Sequence, residues 1–177
     1  MPIDPKLEKM LKTAAKFHGH VCPGLAIGVV ASELALMNAK RASDEELVAI
    51  VENDACGVDA IQALTGCTYG KGNLIHNDYG KSVYTFYNRT TGKGFRIVLK
   101  PDVFDHDMPR DERITFILEK GEELFKVQEV SITPPEKARI FNDVRCDNCG
   151  EPVMATRIQE RAGRKLCIPC FNQLENK

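Results

Sequence analysis

The sequence predicts an α+β fold of helices packed on an antiparallel sheet, followed by a small C-terminal treble-clef or ribbon zinc finger. Three observations carry this expectation. Helical periodicity dominates the chain before Gly66, two β-rich runs joined by a glycine-containing stretch follow, and two Cys-x2-Cys pairs lie near the end.

Asp4 and Pro5 suit an N-cap and a first helical position, and Leu7, Met10, Leu11, Ala14 and Phe17 keep helical spacing behind them. Cys22-Pro23-Gly24 opens a second segment, Leu25 to Met37, that is apolar on nearly every side and reads as a buried central helix. Ser43-Asp44-Glu45-Glu46 has the form of a capping box, yet the run Leu47 to Val51 reads better as a turn followed by a buried strand. Val58, Ile61 and Leu64 mark a third helix that Gly66 ends. Val83 to Asn88 and Phe95 to Lys100 form the clearest hairpin, Glu112 to Leu118 reads as helix and Leu124 to Ile132 as strand. Pro134-Pro135 interrupts regular structure, because proline lacks an amide donor and disfavours helix before it. The expected organisation is a core domain over 1–132, a linker over 133–140 and a finger over 141–177.

Of the 177 residues, 43% are hydrophobic and 28% charged, an ordinary balance for a soluble globular chain. Leu25 to Met37 is shorter than the roughly 20 residues that span a bilayer, and the N-terminus lacks the features of a secretory signal. A cytoplasmic protein with no membrane partner is expected. The net charge of −1 gives no electrostatic reason to expect nucleic acid. Seven cysteines, an odd number in a reducing compartment, favour metal or thiol chemistry over a disulfide framework. No Ser-His-Asp arrangement, Walker loop or dinucleotide fingerprint supports acyl transfer or nucleotide-dependent chemistry.

Cys146-x2-Cys149 and Cys167-x2-Cys170, separated by seventeen residues, have the spacing of a four-thiolate zinc module. Each pair chelates one side of the ion, and two pairs close a tetrahedron with no position left for water. Such a site is structural. In this region Arg145, Arg157, Arg161, Arg164, Lys165 and Lys177 are nearly balanced by Asp143, Asp147, Glu151, Glu160 and Glu175, so nucleic acid is not the expected partner.

A second constellation lies at the mouth of the buried helix. His18, His20 and Cys22 occupy alternate positions of a segment expected to be extended, which would turn all three to one side. Cys22 precedes Pro23 and Cys56 precedes Gly57, so both thiols are expected at helix N-termini, where amide dipoles favour a thiolate. These two cysteines are the candidates for catalysis, and with His18 and His20 they are the candidate ligands of a core metal. Cys67 would lie about 16 Å from Cys56 along a helix axis, too far to share an ion with it. It reads as a small buried residue. Lys71, between Gly70 and Gly72, is a weak candidate for holding an anionic group. Asp54 and Asp59 are alternative acceptors for a ligating imidazole, and His76 and His106 read as surface or loop residues.

The runs His18-Gly19-His20-Val21-Cys22-Pro23-Gly24 and Cys56-Gly57-Val58-Asp59-Ala60-Ile61-Gln62, with Gly66 to Leu74, resemble the formylmethanofuran dehydrogenase FmdE family over roughly residues 10–130. The resemblance implies an α+β core, a homodimer, and a crevice lined by cysteine and histidine. It links the family to one-carbon metabolism through formylmethanofuran, without implying that this chain acts there.

Two functions are therefore expected. The first is a metal-binding accessory or enzyme-like protein, with zinc in the finger and a second ion in the core, zinc or else nickel or iron, acting on an unidentified small molecule. The other is a regulatory or adaptor protein whose finger contacts nucleic acid or a partner while the core senses metal or a small ligand.

Overall fold

A computed structural model describes residues 2–105 and 107–175; His106 lies outside the described residues. The chain divides between Ala138 and Arg139 into two compact units.

In the first unit, α1 (Pro5–His18) begins where the Asp4 carboxylate accepts the Lys6 amide at 2.7 Å. α2 (Pro23–Asn38) follows after a short connection and serves as the spine. Leu25, Ala26, Val29, Val30, Ala31 and Ala35 are all fully buried, on more than one side of the helix. It packs against α1, α3 (Gly57–Thr65), α4 (Arg110–Lys120) and the sheet, which is why its sequence has no polar face. Each buried leucine or valine side chain there contributes about 1.5–3 kcal/mol of transfer free energy.

The sheet runs β2-β1-β3-β4-β5. β3 (Val83–Asn88) and β4 (Lys93–Leu99) are the predicted hairpin, joined antiparallel with Phe86 opposite Phe95. Their rings stack with centroids 5.5 Å apart. β5 (Phe125–Val130) extends the sheet beside β4, and β1 (Leu47–Val51) pairs with β3 on the other side. The two residues Ser43 and Glu46 meet, but not as a capping box: the Ser43 hydroxyl donates to one Glu46 carboxylate oxygen at 2.6 Å and the Asp44 amide to the other at 2.9 Å, and a strand follows. The Ser43 hydroxyl, then the Asp44 amide, hold the Glu46 carboxyl down to about 2.

The sheet departs from a wholly antiparallel one at its edge. β2 (Leu74–His76) pairs parallel with β1, placing Ala49 opposite Leu74 and Val51 opposite His76. Fully buried Asn73 fixes this edge by donating to the carbonyls of Asp44 at 3.0 Å and Leu47 at 2.9 Å. Beyond β5 the prolines stay fastened to the first unit. They lack amide donors but keep their own carbonyls, and Arg89 donates to Pro135 O at 2.6 Å and to the next carbonyl, Glu136 O, at 2.9 Å.

The second unit holds the hairpin of β6 (Asp143–Arg145) and β7 (Pro152–Met154), the hairpin of β8 (Gln159–Arg161) and β9 (Arg164–Leu166), and α5 (Ile168–Glu175). No helix among the described residues is long and apolar enough to cross a membrane.

α2 and α3 meet backbone to backbone. A Cβ on Gly28 would run into the Gly57 carbonyl and stand 2.6 Å from its Cα. Gly28→Ala is therefore expected to cost roughly 1–3 kcal/mol, as overpacking does. Thermal unfolding of the purified variant checks this, and an unchanged midpoint would show that the helices can separate freely.

Candidate metal centres

The core centre begins at the end of α1. Gly19 adopts φ 95°, and its amide donates to Ala15 O at 2.8 Å. A side chain at that φ meets a steric penalty that glycine avoids, so the helix stops here and the chain reverses. His18 is consequently the last residue of α1, and not part of an extended segment running to Cys22. The three side chains converge all the same: one ligand atom each from His18, His20 and Cys22 lies within 4.8 Å of the others. The two imidazole centroids are 4.4 Å apart, and His18 Nε2 is 4.0 Å from Cys22 Sγ. Arg110, at the start of α4, donates to Val21 O at 2.6 Å and fixes the connection between His20 and Cys22.

His18 Nδ1 lies 2.7 Å from Asp59 Oδ2, in the first turn of α3. A proton on Nδ1 makes this a hydrogen bond and leaves the Nε2 lone pair facing Cys22. Gln62 Nε2 reaches the other oxygen of Asp59 at 3.4 Å. Asp59 rather than Asp54 is thus the imidazole's acceptor. Carboxylate-bound histidine is the arrangement that metal-ligating imidazoles ordinarily adopt.

Cys22 is buried at the N-cap of α2, where its sulfur accepts the Leu25 amide at 3.4 Å. Half-buried Cys56 precedes α3 in helical conformation and makes no side-chain cap. Burial, then the hydrogen bond and charge of Cys22, push its thiol above the ordinary range. Cys56 therefore adjoins Cys22 without joining the group of three within 4.8 Å. Tyr84, which the sequence did not single out, is buried beneath this point. A Cβ on Gly57 would run into its hydroxyl. Burial, then the charge of Cys56, raise its pKa.

The donor set fits a divalent ion of borderline softness. Tetrahedral zinc with bonds of about 2.0 Å to nitrogen and 2.3 Å to sulfur places those atoms about 3.5 Å apart. The observed 4.0 Å is longer than that by about half an ångström. Beside the group opens a crevice of about 360 Å³, walled by His18, Cys56, Asp59, Asp54, Tyr69 and His76. His76 reaches this wall because it ends β2, a three-residue strand too short to be read from periodicity. Lys71 does not line the crevice, and its ammonium donates to Asp44 O at 3.0 Å. Cys67 is fully buried, and its thiol donates to Leu47 O at 3.3 Å.

In the finger, Cys146, Cys149, Cys167 and Cys170 bring their sulfurs within 4.8 Å of one another. Cys149 Sγ and Cys167 Sγ are 3.9 Å apart, close to the roughly 3.8 Å separating two thiolates on tetrahedral zinc. Amides turn toward the sulfurs: Cys167 N donates to Cys146 Sγ at 3.3 Å. Backbone donors, those of Cys149 and then Cys167, hold the Cys146 thiol down to about 6. Asn148 Nδ2 donates to Cys170 Sγ at 3.3 Å. α5 begins at Ile168, so Cys170 lies within its first turn.

Fold and sites together define an α+β protein with a cysteine- and histidine-lined core and an appended C4-type zinc finger. Residues 17–150 match the family described as "FmdE, Molybdenum formylmethanofuran dehydrogenase operon", and the chain belongs to it. Residues 139–176 match the prokaryotic dksA/traR C4-type zinc finger. The crystal structure of a tungsten formylmethanofuran dehydrogenase FmdE-like protein from Syntrophus aciditrophicus is similar, with TM-score 0.77 and 26% identity over 98% of each chain. A protein of Archaeoglobus fulgidus named "Probable S-adenosyl-L-methionine-binding protein" is 34% identical over 93% of this chain and 53% of its own. This chain spans about half the length of that relative.

The two thiols outside these groups should differ sharply in reactivity. Burial pushes Cys67 up to about 11, so at about pH 8 roughly one thiol in a thousand is ionised. In reduced, metal-free protein iodoacetamide should modify Cys56 first and leave Cys67 intact until the chain unfolds. Peptide mass mapping over a time course reads the order, and early labelling of Cys67 would contradict its burial.

Proposed function

We propose that the core unit binds a divalent metal ion through His18, His20 and Cys22, with Cys56 at its margin, and presents it to a small polar molecule in the crevice. The contact between His18 Nδ1 and Asp59 carries this reading, because it orients the imidazole with Nε2 toward Cys22. Three protein ligands leave a tetrahedral ion one further position, as in catalytic rather than structural sites. When bound, such an ion supplies Lewis acidity and lowers the pKa of a coordinated water. The chain's own groups then have distinct tasks. Asp59 holds the His18 tautomer, Arg110 fixes the His20–Cys22 connection, and Asp54 and His76 offer proton acceptors along the crevice wall. Zinc suits the mixed nitrogen and sulfur donors, with nickel and iron the alternatives.

We further propose an accessory or enzyme role linked to one-carbon chemistry through formylmethanofuran. Membership of the FmdE family and the likeness to the Syntrophus protein support it. In this reading the finger serves as a structural module and the chain works as a homodimer.

Metal analysis of protein purified anaerobically without a histidine tag tests the core site. The full chain should carry a core ion in addition to the finger zinc. Cys22→Ala should remove the core ion alone, whereas replacing Cys146 and Cys149 with serine should remove the finger zinc alone. Asp59→Ala should weaken core binding by about 10–100-fold, the usual effect of losing an imidazole's carboxylate partner. Core metal content unchanged in Cys22→Ala would defeat the assignment.

A further inference from the structure

The metal reading leaves one feature of the core unused: two thiols, not one, stand at the meeting point of α2 and α3. The glycine contact forces their helix starts together. A Cβ on Gly24 would lie 3.2 Å from Cys56 Cβ and 3.9 Å from its sulfur, and Gly28 meets Gly57 backbone to backbone one turn further on. The Cys22 sulfur folds back over the first turn of α2 to accept the Leu25 amide. There it is near enough to Cys56 to disfavour ionisation of that thiol.

We propose that Cys22 and Cys56 form a redox-active dithiol that exchanges with small disulfides, and that their disulfide and a core metal ion exclude each other. The second half rests on the metal reading, because Cys22 would serve in both. Disulfides need Cβ atoms about 3.5–4.5 Å apart, and the glycine contact holds the two cysteine-bearing helix starts against each other, with Cys56 Cβ 3.2 Å from the Cβ position of Gly24, two residues beyond Cys22. The two thiols have unequal access. Cys56 lines the crevice, whereas Cys22 is buried behind it. Cys67 is committed to the Leu47 carbonyl and takes no part.

The chemistry follows from that inequality. The Cys56 sulfur, having given up its proton, attacks one sulfur of a small disulfide, forming a mixed disulfide and releasing one thiolate. The Cys22 sulfur, deprotonated in turn, attacks Cys56 in that mixed disulfide and releases the second thiolate. The two released thiolates take up the two protons, so the protein loses two hydrogen atoms and the small disulfide becomes two thiols. The Tyr84 hydroxyl, against Gly57 and near Cys56, is placed to donate to sulfur during exchange.

The test treats the full chain, reduced and freed of core metal, with oxidised glutathione under anaerobic conditions. Peptide mapping separates the core cysteines from those of the finger. A Cys22–Cys56 linked peptide should appear, vanish with dithiothreitol, persist in Cys67→Ala and be absent in Cys56→Ser. Absence of that link, a glutathione adduct on Cys56 that never resolves, or a link between Cys22 and Cys67 would each overturn the dithiol. Zinc titration of reduced and oxidised protein supplies the second readout, and oxidation should cost one equivalent. Equal zinc binding in both forms, with the link present, would overturn the exclusion. A reduced core that binds no metal would overturn the metal reading and the exclusion together, while the linked peptide would still establish the dithiol.

Discussion

Gly28 in α2 and Gly57 in α3 lie in such contact that a methyl group on either would occupy space already held by backbone or by the Tyr84 hydroxyl. Most helix pairs stand 8–10 Å apart because side chains separate them; here the absence of a Cβ lets two backbones touch. The rest of the core centre depends on that approach. It sets the start of α2, with Cys22, against the start of α3, with Cys56 and Asp59. It also brings Asp59 within reach of the imidazole at the end of α1. A larger residue at either glycine would separate the helix starts and disrupt the His18–Asp59 contact and the pairing of thiols together.

The sequence was informative where structure is decided locally. α1 could be read from Asp4, Pro5 and its apolar spacing. α2 could be read as buried because no side of it is polar, and the hairpin from two β-rich runs around Gly92 and Gly94. Ser43 and Glu46 show the limit of such reading. The Glu46 carboxylate gathers the Ser43 hydroxyl and the Asp44 amide, a local turn rather than a capping box, and the strongly apolar Leu47–Val51 is drawn into the sheet beside β3. Burial of four of those five side chains outweighs a local bond pattern worth about 1 kcal/mol. β2 could not be read at all. Three residues carry no period, and their parallel pairing with β1 is fixed by Asn73, whose partners lie up to 29 residues away.

The same distinction separates the two centres. In the finger, the first ligand pair and its turn lie within five residues of Cys146, and the second pair repeats the spacing, so ligand identity is written in the local sequence. In the core, His18, His20 and Cys22 were visible as a cluster. The choice of Asp59 over Asp54 required knowing that α3 begins at Gly57 and points its first turn at α1. Tyr84 and His76 were beyond sequence reading for the same reason. Tyr84 is one of several alternating residues of β3, and His76 reaches the crevice through a strand that only tertiary pairing creates. Lys71 marks another limit: glycines on both sides suggested an anion cradle, whereas its ammonium donates to the Asp44 carbonyl, a partner 27 residues away.

The two centres also differ in how the surrounding chain treats sulfur. Finger amides and the Asn148 side chain turn donors onto the thiols from close range, and three of the four cysteines are buried. That arrangement suits four sulfurs that share one ion, even though desolvation and their mutual proximity push the Cys149 and Cys167 thiols up. Cys56 has a different setting. Its cap bond is missing, burial and Cys22 disfavour its charge, and the crevice gives solutes access to it. A thiol so placed is poorly stabilised as a free anion and gains most from a partner, whether a cation that neutralises it or a second sulfur that removes the charge altogether. The approach of α2 and α3 is therefore the common ground of the two proposed chemistries, and the identity of the partner would decide between them.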